Sequence, residues 1–408
     1  MYDYIHNEKY DFKNISYSKS YPNLHKYPAT MLPQIGIAIL KELNINGGRL
    51  LDPYCGSGSS FISAIESNIF DFEGYDCNPL AIFICKVKFT NINLEELNYE
   101  LSNLENKVYS NKNSNDIEKY IPIYKNINYW YSQENKYKLA FLKKNIFEIK
   151  NEDIRNFILL AFLDTSRMLS YTRNNEFKLY RMKIEDIENF NIDANDYFFT
   201  KLNENINHYK NYYLKYSNKN IKSKFNQHSF FYKNNKSKFD VVLTSPPYGD
   251  SRTTVAYGQF SFFANMWLGN DYANKIDSIL MGGKNKKEIL DDSIISEQIY
   301  SIKNKDIKRA IEVSSFYMDL RESIENVAKS IKRGGYSIYV VGNRIVKDVY
   351  LNTDKFIAEC FERENFKHIF TYKRFISNKR MPTKNSPTNI KGKLSNTMTE
   401  EFIVVSRF

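Results

Sequence analysis

Short apolar runs separated by polar turns are the main pattern along this chain. Five runs have the length and the aliphatic or aromatic character of buried β-strands. They cover residues 48–52, 70–75, 239–244, 336–341 and 401–406. A glycine-rich turn and a helical pattern from Ser59 to Ser67 follow the first run, so strands alternate with helices. This order predicts an α/β fold with a mostly parallel, doubly wound sheet.

A long stretch without strand-like runs separates the second predicted strand from the third. It covers about 150 residues, a length that favours an inserted domain over a loop. The apolar periodicity from Glu152 to Leu169 favours a helical insert. We therefore assign residues 1–89 and 226–408 to the sheet domain and residues 90–225 to a helical insert. Residues 269–308 form a secondary polar insertion.

Composition excludes several classes of protein. Hydrophobic residues make up 42% of the 408 residues, enough for a packed core and too many for a disordered chain. No apolar run approaches the roughly 18 residues of a membrane span, and residues 1–10 lack the apolar core of a signal peptide. The four cysteines, Cys55, Cys77, Cys85 and Cys360, match neither a disulfide framework nor a zinc pattern. We expect a cytoplasmic protein without a membrane segment or a bound metal.

The net charge of +11 is concentrated in two segments. Residues 201–238 contain nine lysines and one acidic residue, and residues 331–408 contain fifteen lysines and arginines against seven acidic residues, a net +8 in each case. The rest of the chain carries −5. A base-composition bias in the coding DNA would spread the charge, whereas a face that binds a polyanion would concentrate it. The distribution favours nucleic acid as a partner, with a merely solvated surface as the alternative.

The first segment that indicates chemistry is Asp52-Pro-Tyr-Cys-Gly-Ser-Gly58, at the end of the first predicted strand. Glycines in such a turn let the backbone approach a ligand, and the following helix offers unpaired N–H groups. The acid at the strand end would repel a pyrophosphate but suits a cationic amino group. Asp76 ends the next predicted strand, where a carboxylate can accept both hydroxyls of a ribose. An N-capping Asp and ordinary turn glycines are the alternative.

The second segment is Thr244-Ser-Pro-Pro-Tyr248, at the end of the third predicted strand. Its two prolines cannot donate backbone hydrogen bonds, and they hold the turn rigid. Such a turn presents a carbonyl, a hydroxyl and an aromatic ring at the carboxyl edge of the sheet. These groups can hold an exocyclic amino group by its two N–H bonds while the ring stacks on the base. An ordinary turn is the alternative.

Together these segments resemble the S-adenosylmethionine-dependent DNA amino-methyltransferases. Residues 52–58 look like the cofactor motif of the family, and residues 244–248 look like its catalytic motif in the S-P-P-Y form of the cytosine-N4 enzymes. Further similarities lie, in the family order, at residues 25–29, 333–336, 341–343, 379–382 and 400–405. The resemblance implies a Rossmann-like methyltransferase fold with a C-terminal antiparallel hairpin strand, and S-adenosyl-L-methionine as cofactor.

The chain departs from the family at one place. Many relatives carry a Gly-Asp pair, which contacts the adenine of the cofactor, on the strand before S-P-P-Y. Here residues 225–229 read Phe-Asn-Gln-His-Ser, so the adenine-contacting residue is not assigned.

The resemblance implies two sets of site residues. The catalytic set is Ser245, Pro246, Pro247 and Tyr248. The cofactor set is Tyr27, Pro28, Ala29, Asp52, Pro53, Tyr54, Gly56, Gly58, Ser59, Asp76, Cys77 and Thr244.

The implied reaction transfers a methyl group directly to the exocyclic N4 of a cytosine that is flipped out of double-stranded DNA. Ser245 Oγ and the Pro246 carbonyl would accept the two amino protons and free the nitrogen lone pair, and Tyr248 would stack on the base. No covalent intermediate is needed. Cytosine-C5 methylation uses a cysteine that normally follows a proline, and none of the four cysteines does so.

We assign target recognition to the insert, and phosphate contacts to basic residues that include a cluster beside aromatic ones. The residues expected to contact DNA are Arg173, Lys178, Arg181, Arg252, Arg374, Lys379 and Arg380. Ordinary solvated charges are the alternative. Residues 250–254 follow the catalytic turn and either order a loop over the flipped base or cap the next helix. A cognate restriction endonuclease, in a prokaryotic cell, is a partner that the resemblance alone implies.

Three other functions stay open. The same turn would serve an adenine-N6 DNA methyltransferase, because adenine also presents an exocyclic amino group. It would equally serve an RNA amino-methyltransferase. The third is a catalytically silent DNA-binding subunit, but such a protein has no need of Asp52, Asp76 and the S-P-P-Y geometry.

Overall fold

A mixed sheet of eight strands forms the centre of the described chain. The computed structural model describes residues 2–13, 15, 20–110, 116–174, 176–229, 238–250, 253–376 and 399–408, together with the backbone of residues 384–385 and 395–396. The strands are β1 (Tyr4–His6), β2 (Arg49–Asp52), β3 (Asp71–Tyr75), β4 (Lys222–Asn226), β5 (Phe239–Thr244), β6 (Ile331–Val341), β7 (Arg344–Val346), β8 (Val349–Leu351), β9 (Lys367–Phe375), β10 (Lys384–Asn385), β11 (Ser395–Asn396) and β12 (Glu400–Arg407).

Helices lie between most of the strands, and two of them, at Ser59–Glu66 and Glu152–Met168, are the ones that the sequence pattern predicts. They are α1 (Pro33–Glu42), α2 (Ser59–Glu66), α3 (Pro79–Phe89), α4 (Leu94–Tyr109), α5 (Ile127–Trp130), α6 (Gln133–Phe147), α7 (Glu152–Met168), α8 (Ile184–Glu188), α9 (Ala194–His208), α10 (Tyr257–Trp267), α11 (Ile276–Ile279), α12 (Ser296–Lys305), α13 (Ile307–Ala328) and α14 (Thr353–Arg363).

Parallel pairing dominates the sheet. Its order is β1–β9–β12–β6–β5–β2–β3–β4, and β12 is antiparallel to both of its neighbours while the other pairs are parallel. The predicted Rossmann-like methyltransferase fold is therefore confirmed. The strand order reverses at β2, because the chain runs outward through β3 and β4 and returns to β5 on the other side. Open α/β sheets bind ligands at such a reversal, beyond the carboxyl ends of the strands.

Apolar side chains alternate between the two faces of the sheet. Leu50 and Val241 belong to the core on one face, and Leu51 and Val242 belong to the core on the other. Helices α1, α2, α3, α7 and α10 cover the first face, and α12, α13 and α14 cover the second. The result is a three-layer arrangement in which each face of the sheet buries its own set of apolar side chains.

The five predicted strands are present as β2, β3, β5, β6 and β12, and β6 begins earlier than predicted, at Ile331. The apolar pattern does not reveal β1, β4 or β9. Strand β4 pairs with β3 along its whole length although it buries none of its five residues. Because an edge strand can stay polar while its backbone still bonds to a neighbour, hydrophobic periodicity does not detect it.

The predicted insert boundary between residues 225 and 226 is wrong, because it cuts through β4. Residues 222–225 pair with residues 71–74 of β3 and therefore belong to the sheet. The insertion between α3 and β4 thus ends at residue 221.

The inserted helices share a core with the sheet. Helix α7 was expected to be amphipathic, yet every residue from Phe157 to Arg167 is buried. Trp267 of α10 donates a hydrogen bond to the Tyr131 hydroxyl at 3.2 Å, and its ring packs edge-on against Phe162. The insert therefore thickens the helical layer on the first face and buries its apolar side chains in the same core.

The secondary insertion, residues 269–308, packs on the second face. It contributes Met281, Leu290 and Ile299 to the core that α13 forms with the sheet. Across the described residues, no helix combines the length and the apolar character that a membrane crossing requires.

Candidate active site

A cleft lies beyond the carboxyl ends of β2, β3 and β5, where the strand order reverses. Its empty space is about 570 Å³, counting the part that is open to solvent. Its lining includes the predicted site residues Tyr27, Ala29, Asp52, Tyr54, Gly56, Ser59, Asp76, Ser245 and Pro247. It also includes Thr30, Met31, Cys55, Ser57, Tyr257 and Leu280, which the sequence motifs do not select as site residues. The fold thus brings both predicted segments, which are almost two hundred residues apart in sequence, into one site.

Asp52 forms hydrogen bonds that connect the turn after β2 to α2 and to the end of β5. One carboxylate oxygen accepts hydrogen bonds from the Tyr54 N–H at 3.0 Å and from the Thr244 hydroxyl at 2.5 Å. The other oxygen accepts a hydrogen bond from the Ser60 hydroxyl. Burial raises the pKa of Asp52 to about 6, although these hydrogen bonds oppose the rise. A cation in the cleft would therefore stabilise the ionised form of this carboxyl group.

Asp76 places a second carboxylate in the wall of the cleft, directly after β3. Its oxygens accept hydrogen bonds from the backbone N–H groups of Gly56 at 3.0 Å and Asn78 at 2.8 Å. Burial raises the pKa of Asp76 to about 6, and the charge of Asp52 adds to this effect. Two carboxylates in one cleft favour a ligand that carries positive charge or donates hydrogen bonds.

Gly56 and Gly58 shape the turn for different reasons, although both have a positive φ, of 48° and 80°. A Cβ on Gly56 would lie 3.4 Å from the Tyr27 ring, inside the cleft. A Cβ on Gly58 would lie 3.0 Å from both the Cys85 sulfur and the Phe89 ring, beneath the turn. Gly56 therefore keeps the cleft open, whereas Gly58 lets α2 begin close against α3.

Tyr27 forms a side of the cleft and is held by a buried polar network. Its hydroxyl accepts a hydrogen bond from the Asn78 amide at 3.2 Å. Asn78 also donates to Ser261 at 3.0 Å and accepts from Asn265 at 2.9 Å. The Tyr257 ring lies 6.0 Å from the Tyr27 ring. Motif reasoning misses Tyr257 and Asn265 because they lie on α10, in a segment without a turn motif.

The turn after β5 carries Ser245 and Pro247 into the cleft. The Ser245 hydroxyl donates a hydrogen bond to the Tyr248 oxygen at 3.2 Å, and the Tyr248 hydroxyl donates one to Glu401 of β12 at 3.0 Å. Burial, together with the charge of Glu401, raises the pKa of Tyr248 well above its usual value. The phenol therefore stays protonated at neutral pH and remains a hydrogen-bond donor.

The segment that follows the turn is anchored through Asp250. Its carboxylate is buried and forms ion pairs with Arg309 at 3.1 Å and Arg344 at 3.4 Å. It also accepts hydrogen bonds from the backbone N–H and the hydroxyl of Thr253. Burial alone would raise the pKa of Asp250, but the two guanidinium groups outweigh it and the net shift is downward. Of the two predicted roles for this segment, the contacts favour ordering a loop, since α10 begins only at Tyr257.

Comparison with known proteins identifies the family. The Type II methyltransferase M.MvaI of Kocuria varians is 35% identical to this chain over an alignment of 430 positions, which covers 98% of the chain and 93% of the relative. The chain belongs to the Type II DNA methyltransferases. No protein-family model matches this methyltransferase.

Solved structures resemble the methyltransferase only weakly. TehB from Haemophilus influenzae is 9% identical with a TM-score of 0.31, over 96% of this chain and 65% of TehB. The rRNA methyltransferase AviRa from Streptomyces viridochromogenes is 10% identical with a TM-score of 0.35, over 98% of this chain and 96% of AviRa. Likenesses this weak say nothing about the substrate.

Several predicted cofactor residues of the methyltransferase lie next to the cleft without lining it. Pro28 and Pro53 are buried beside it, and so is Pro246 of the catalytic turn. Thr244 contributes through its hydrogen bond to Asp52. The Cys77 thiol is directed to the carbonyl of Ile279, at 3.9 Å.

Three of the predicted DNA-contacting residues lie on one segment of the insert, which an isolated bridge between Thr172 and Arg181 closes. Arg173 is exposed and forms a 3.5 Å ion pair with Glu176, and Lys178 is half-buried. The Arg181 guanidinium lies over the Tyr129 ring at 4.3 Å. Its Nε atom has no hydrogen-bond partner among the described residues.

The prediction that Arg374 contacts DNA is wrong. Its side chain is 3% exposed, donates to the Tyr10 carbonyl at 2.5 Å and forms an ion pair with Glu401. Arg374 therefore joins the N-terminal segment to β9 and β12. Arg252, Lys379 and Arg380 lie outside the described residues.

Proposed function

We propose that this methyltransferase transfers the methyl group of S-adenosyl-L-methionine to the exocyclic N4 amino group of cytosine in double-stranded DNA. The observation that carries the proposal is the shared cleft, which Asp52 and Asp76 line together with Ser245. The S-P-P-Y form of the turn supports cytosine as the target, through its resemblance to cytosine-N4 enzymes.

The cleft suits S-adenosylmethionine in charge and in hydrogen bonding. The carboxylate of Asp52 complements a cationic amino group, and that of Asp76 can accept hydrogen bonds from ribose hydroxyls. The Ser57 hydroxyl is buried in the wall without a hydrogen-bond partner among the described residues, so it can donate to a ligand carboxylate. Tyr27 and Tyr257 offer ring surface to a purine. When bound, this cofactor supplies an electrophilic methyl group.

The chain's own contribution to the reaction is to hold the amino group of the target base. Ser245 Oγ and the Pro246 carbonyl accept its two N–H bonds, which directs the nitrogen lone pair toward the methyl donor. Tyr248 stacks on the base after it has left the duplex. Because no side chain forms a covalent bond, the acceleration arises from positioning and from preorganised acceptors.

DNA contacts are assigned to the insert segment that carries Arg173, Lys178 and Arg181. This segment reaches the cleft region, because the Leu179 N–H donates to Gln259 of α10 at 3.1 Å. We place the enzyme in a prokaryotic cytoplasm, where modified sites would be protected from a cognate restriction endonuclease. The name of the Kocuria relative, a Type II methyltransferase, supports this setting.

Expression of the chain in a bacterial host without DNA methylation tests the proposal. Single-molecule sequencing of the host DNA and mass spectrometry of its nucleosides should show N4-methylcytosine at one short recurring motif. Cells that express Ser245→Ala supply the matched control and should show far less of it. N6-methyladenine would overturn the choice of base, and modified RNA with unmodified DNA would overturn the substrate.

A further inference from the structure

Glu401 of β12 faces the catalytic turn from the other end of the chain. One of its carboxylate oxygens accepts the hydrogen bond of Tyr248 at 3.0 Å, and the other pairs with Arg374. The Tyr248 oxygen in turn accepts the hydrogen bond of Ser245 at 3.2 Å. Ser245, Tyr248 and Glu401 thus form a hydrogen-bonded series, which we call the Glu401 relay and which ends in the cleft at Ser245.

The carboxylate of Glu401, at one end of the Glu401 relay, sets the direction of both hydrogen bonds in the relay. An ionised carboxylate only accepts hydrogen bonds, so Tyr248 has to give its proton to Glu401. The Tyr248 oxygen then offers only lone pairs to Ser245, and Ser245 has to give its own proton to Tyr248. Ser245 Oγ therefore meets a ligand in the cleft as an acceptor.

We propose that Glu401 is a positioning residue that keeps Ser245 oriented as a hydrogen-bond acceptor for the amino group of the target base. This inference rests on the proposed function. An amino group on an aromatic ring presents two N–H donors. If the serine proton pointed into the cleft, it would face one of these donors and no hydrogen bond could form between them. The hydrogen bond to Glu401 also fixes the hydroxyl end of the Tyr248 ring.

Arg374 compensates the charge of Glu401, whose side chain is only 16% exposed. A lone buried carboxylate is costly, whereas one that is paired with a guanidinium keeps its charge compensated. Arg374 is itself held by the Tyr10 carbonyl at 2.5 Å, so its direction is also determined. Arg374, which the sequence analysis assigns to DNA, instead supports the catalytic turn through its ion pair with Glu401.

The variant Glu401→Gln tests the direction of the relay while it preserves the shape of the side chain. Arg374 has only N–H donors, so it claims the amide oxygen of the glutamine. The amide NH2 group then faces Tyr248 and reverses the donors along the relay as far as Ser245. We expect kcat to fall about tenfold, which is the order of one charge-assisted hydrogen bond. The affinity for S-adenosylmethionine, measured by calorimetry, should not change.

Glu400→Gln is the matched control. Glu400 is the neighbour of Glu401 on β12 and forms a comparable ion pair with Lys373, at 2.6 Å. This variant loses an acid and an ion pair from the same strand. We expect its kcat to equal that of the wild type, and a fall as large as that of Glu401→Gln would overturn the inference.

Tyr248→Phe distinguishes positioning from packing, since it removes the hydroxyl and keeps the ring. We expect it to lower kcat by a similar factor, and adding Glu401→Gln should then lower kcat no further. If Glu401→Gln lowers kcat as much in the Tyr248→Phe variant as in the wild type, Glu401 acts through packing alone. If Glu401→Gln does not fold, a wild-type kcat for Tyr248→Phe overturns the inference. A wild-type enzyme that forms no N4-methylcytosine would instead overturn the proposed function.

Discussion

Asp52 and Asp76 are single residues whose protonation controls what the cleft can bind. Burial raises the pKa of each from 3.8 to about 6. A carboxyl group with a raised pKa holds its proton more tightly in the folded state, so it favours folding most below pH 4. That contribution to stability is lost as the pH rises from about 4 to about 6. At neutral pH the two charges persist at a cost in free energy that a hydrogen-bonding cationic ligand offsets.

The affinity for S-adenosylmethionine should therefore increase as the pH rises from 5 to 7. The ionised carboxylates accept the hydrogen bonds of the ligand, and the neutral forms do so poorly. Isothermal titration calorimetry at a series of pH values checks this expectation. Asp76→Asn should bind more weakly at pH 7 and should show a smaller dependence on pH. A wild-type affinity that stays constant over this range would contradict the assignment of both residues.

Ser245→Ala should lower kcat by at least a hundredfold, which is the usual effect of losing one preorganised group at the reacting atom. The affinity for S-adenosylmethionine should stay near that of the wild type, because Asp52 and Asp76 remain in place. Steady-state kinetics and calorimetry on the same preparation separate the two quantities. Equal losses of cofactor affinity in Ser245→Ala and Asp52→Ala would show that the roles are wrongly divided.

At the scale of elements, the turn between β2 and α2 requires a backbone conformation with positive φ, which residues with a side chain rarely adopt. Gly58 combines a φ of 80° with neighbours 3.0 Å from an added Cβ, whereas Gly269 has a φ of 86° and no described atom within 4 Å of an added Cβ. The two glycines thus share a positive φ, which would strain any other residue, and they differ in how crowded an added Cβ would be.

Gly58→Ala should destabilise the protein by about 2–4 kcal/mol, because a strained φ and a clash add together. Gly269→Ala should cost only the conformational part, about 1 kcal/mol. Chemical denaturation of both variants measures the difference in the free energy of unfolding. Equal losses would mean that Cys85 and Phe89 move aside and that the crowding at Gly58 is unimportant.

At the scale of the whole molecule, the insert and the sheet share a core. Trp267 of α10 contacts Tyr131 and Phe162 of the insert, and the buried length of α7 lies between the two parts. Neither part can therefore bury its apolar surface without the other.

We expect the chain to unfold in one cooperative transition. Far-ultraviolet circular dichroism and the fluorescence of Trp130 and Trp267, the two tryptophans of the chain, should give the same midpoint. A fragment of residues 90–221 should not fold by itself, because its largest apolar face would be exposed. Cooperative unfolding of that isolated fragment would show that the insert is an independent domain.

The basic excess of the molecule is partly neutralised within the fold. Lys215 and Lys224 form ion pairs with Glu66 and Glu73, which lie outside the basic segment of residues 201–238. The charge of residues 201–238 is therefore smaller in the structure than it is in the sequence. Basic residues of the insert that lack such a close ion pair should therefore contribute more to DNA binding than these lysines do.

DNA affinity should fall steeply with added salt, as counterions are released from the phosphates. Arg173→Ala should reduce the slope of the logarithmic plot by about one, because it removes one exposed cation. Lys215→Ala is the control and should leave the slope unchanged, since the ion pair of Lys215 with Glu66, at 2.6 Å, is much closer than the 3.5 Å pair of Arg173 with Glu176. Fluorescence anisotropy at several salt concentrations measures both slopes. The assignment of Arg173 to the DNA interface would fail if the two variants behaved alike.

Local patterns in the sequence determined the strands that are buried on both faces and the turns that follow them. Strands β2, β5, β6 and the core of β12 are largely apolar because each of their faces packs against helices, and Phe72 and Tyr75 of β3 are buried in the same two cores. The turns at Asp52 and Ser245 are equally local, since glycine and proline impose their conformation on the residues beside them. The parallel order of the sheet follows from the alternation of these strands with helices.

Only the tertiary structure decided which distant residues stand behind those turns. Glu401 lies 153 positions from Tyr248 in sequence. Tyr257 lines the cleft from a helix without a recognisable motif, and Asn78 and Asn265 belong to the network that holds Tyr27. The polar edge strand β4 and the burial of Arg374 were also invisible in the sequence. The physical reason is the same in each case: hydrogen bonds and ion pairs between remote segments depend on how those segments pack, and a polar residue looks alike in sequence whether water or a buried partner satisfies it.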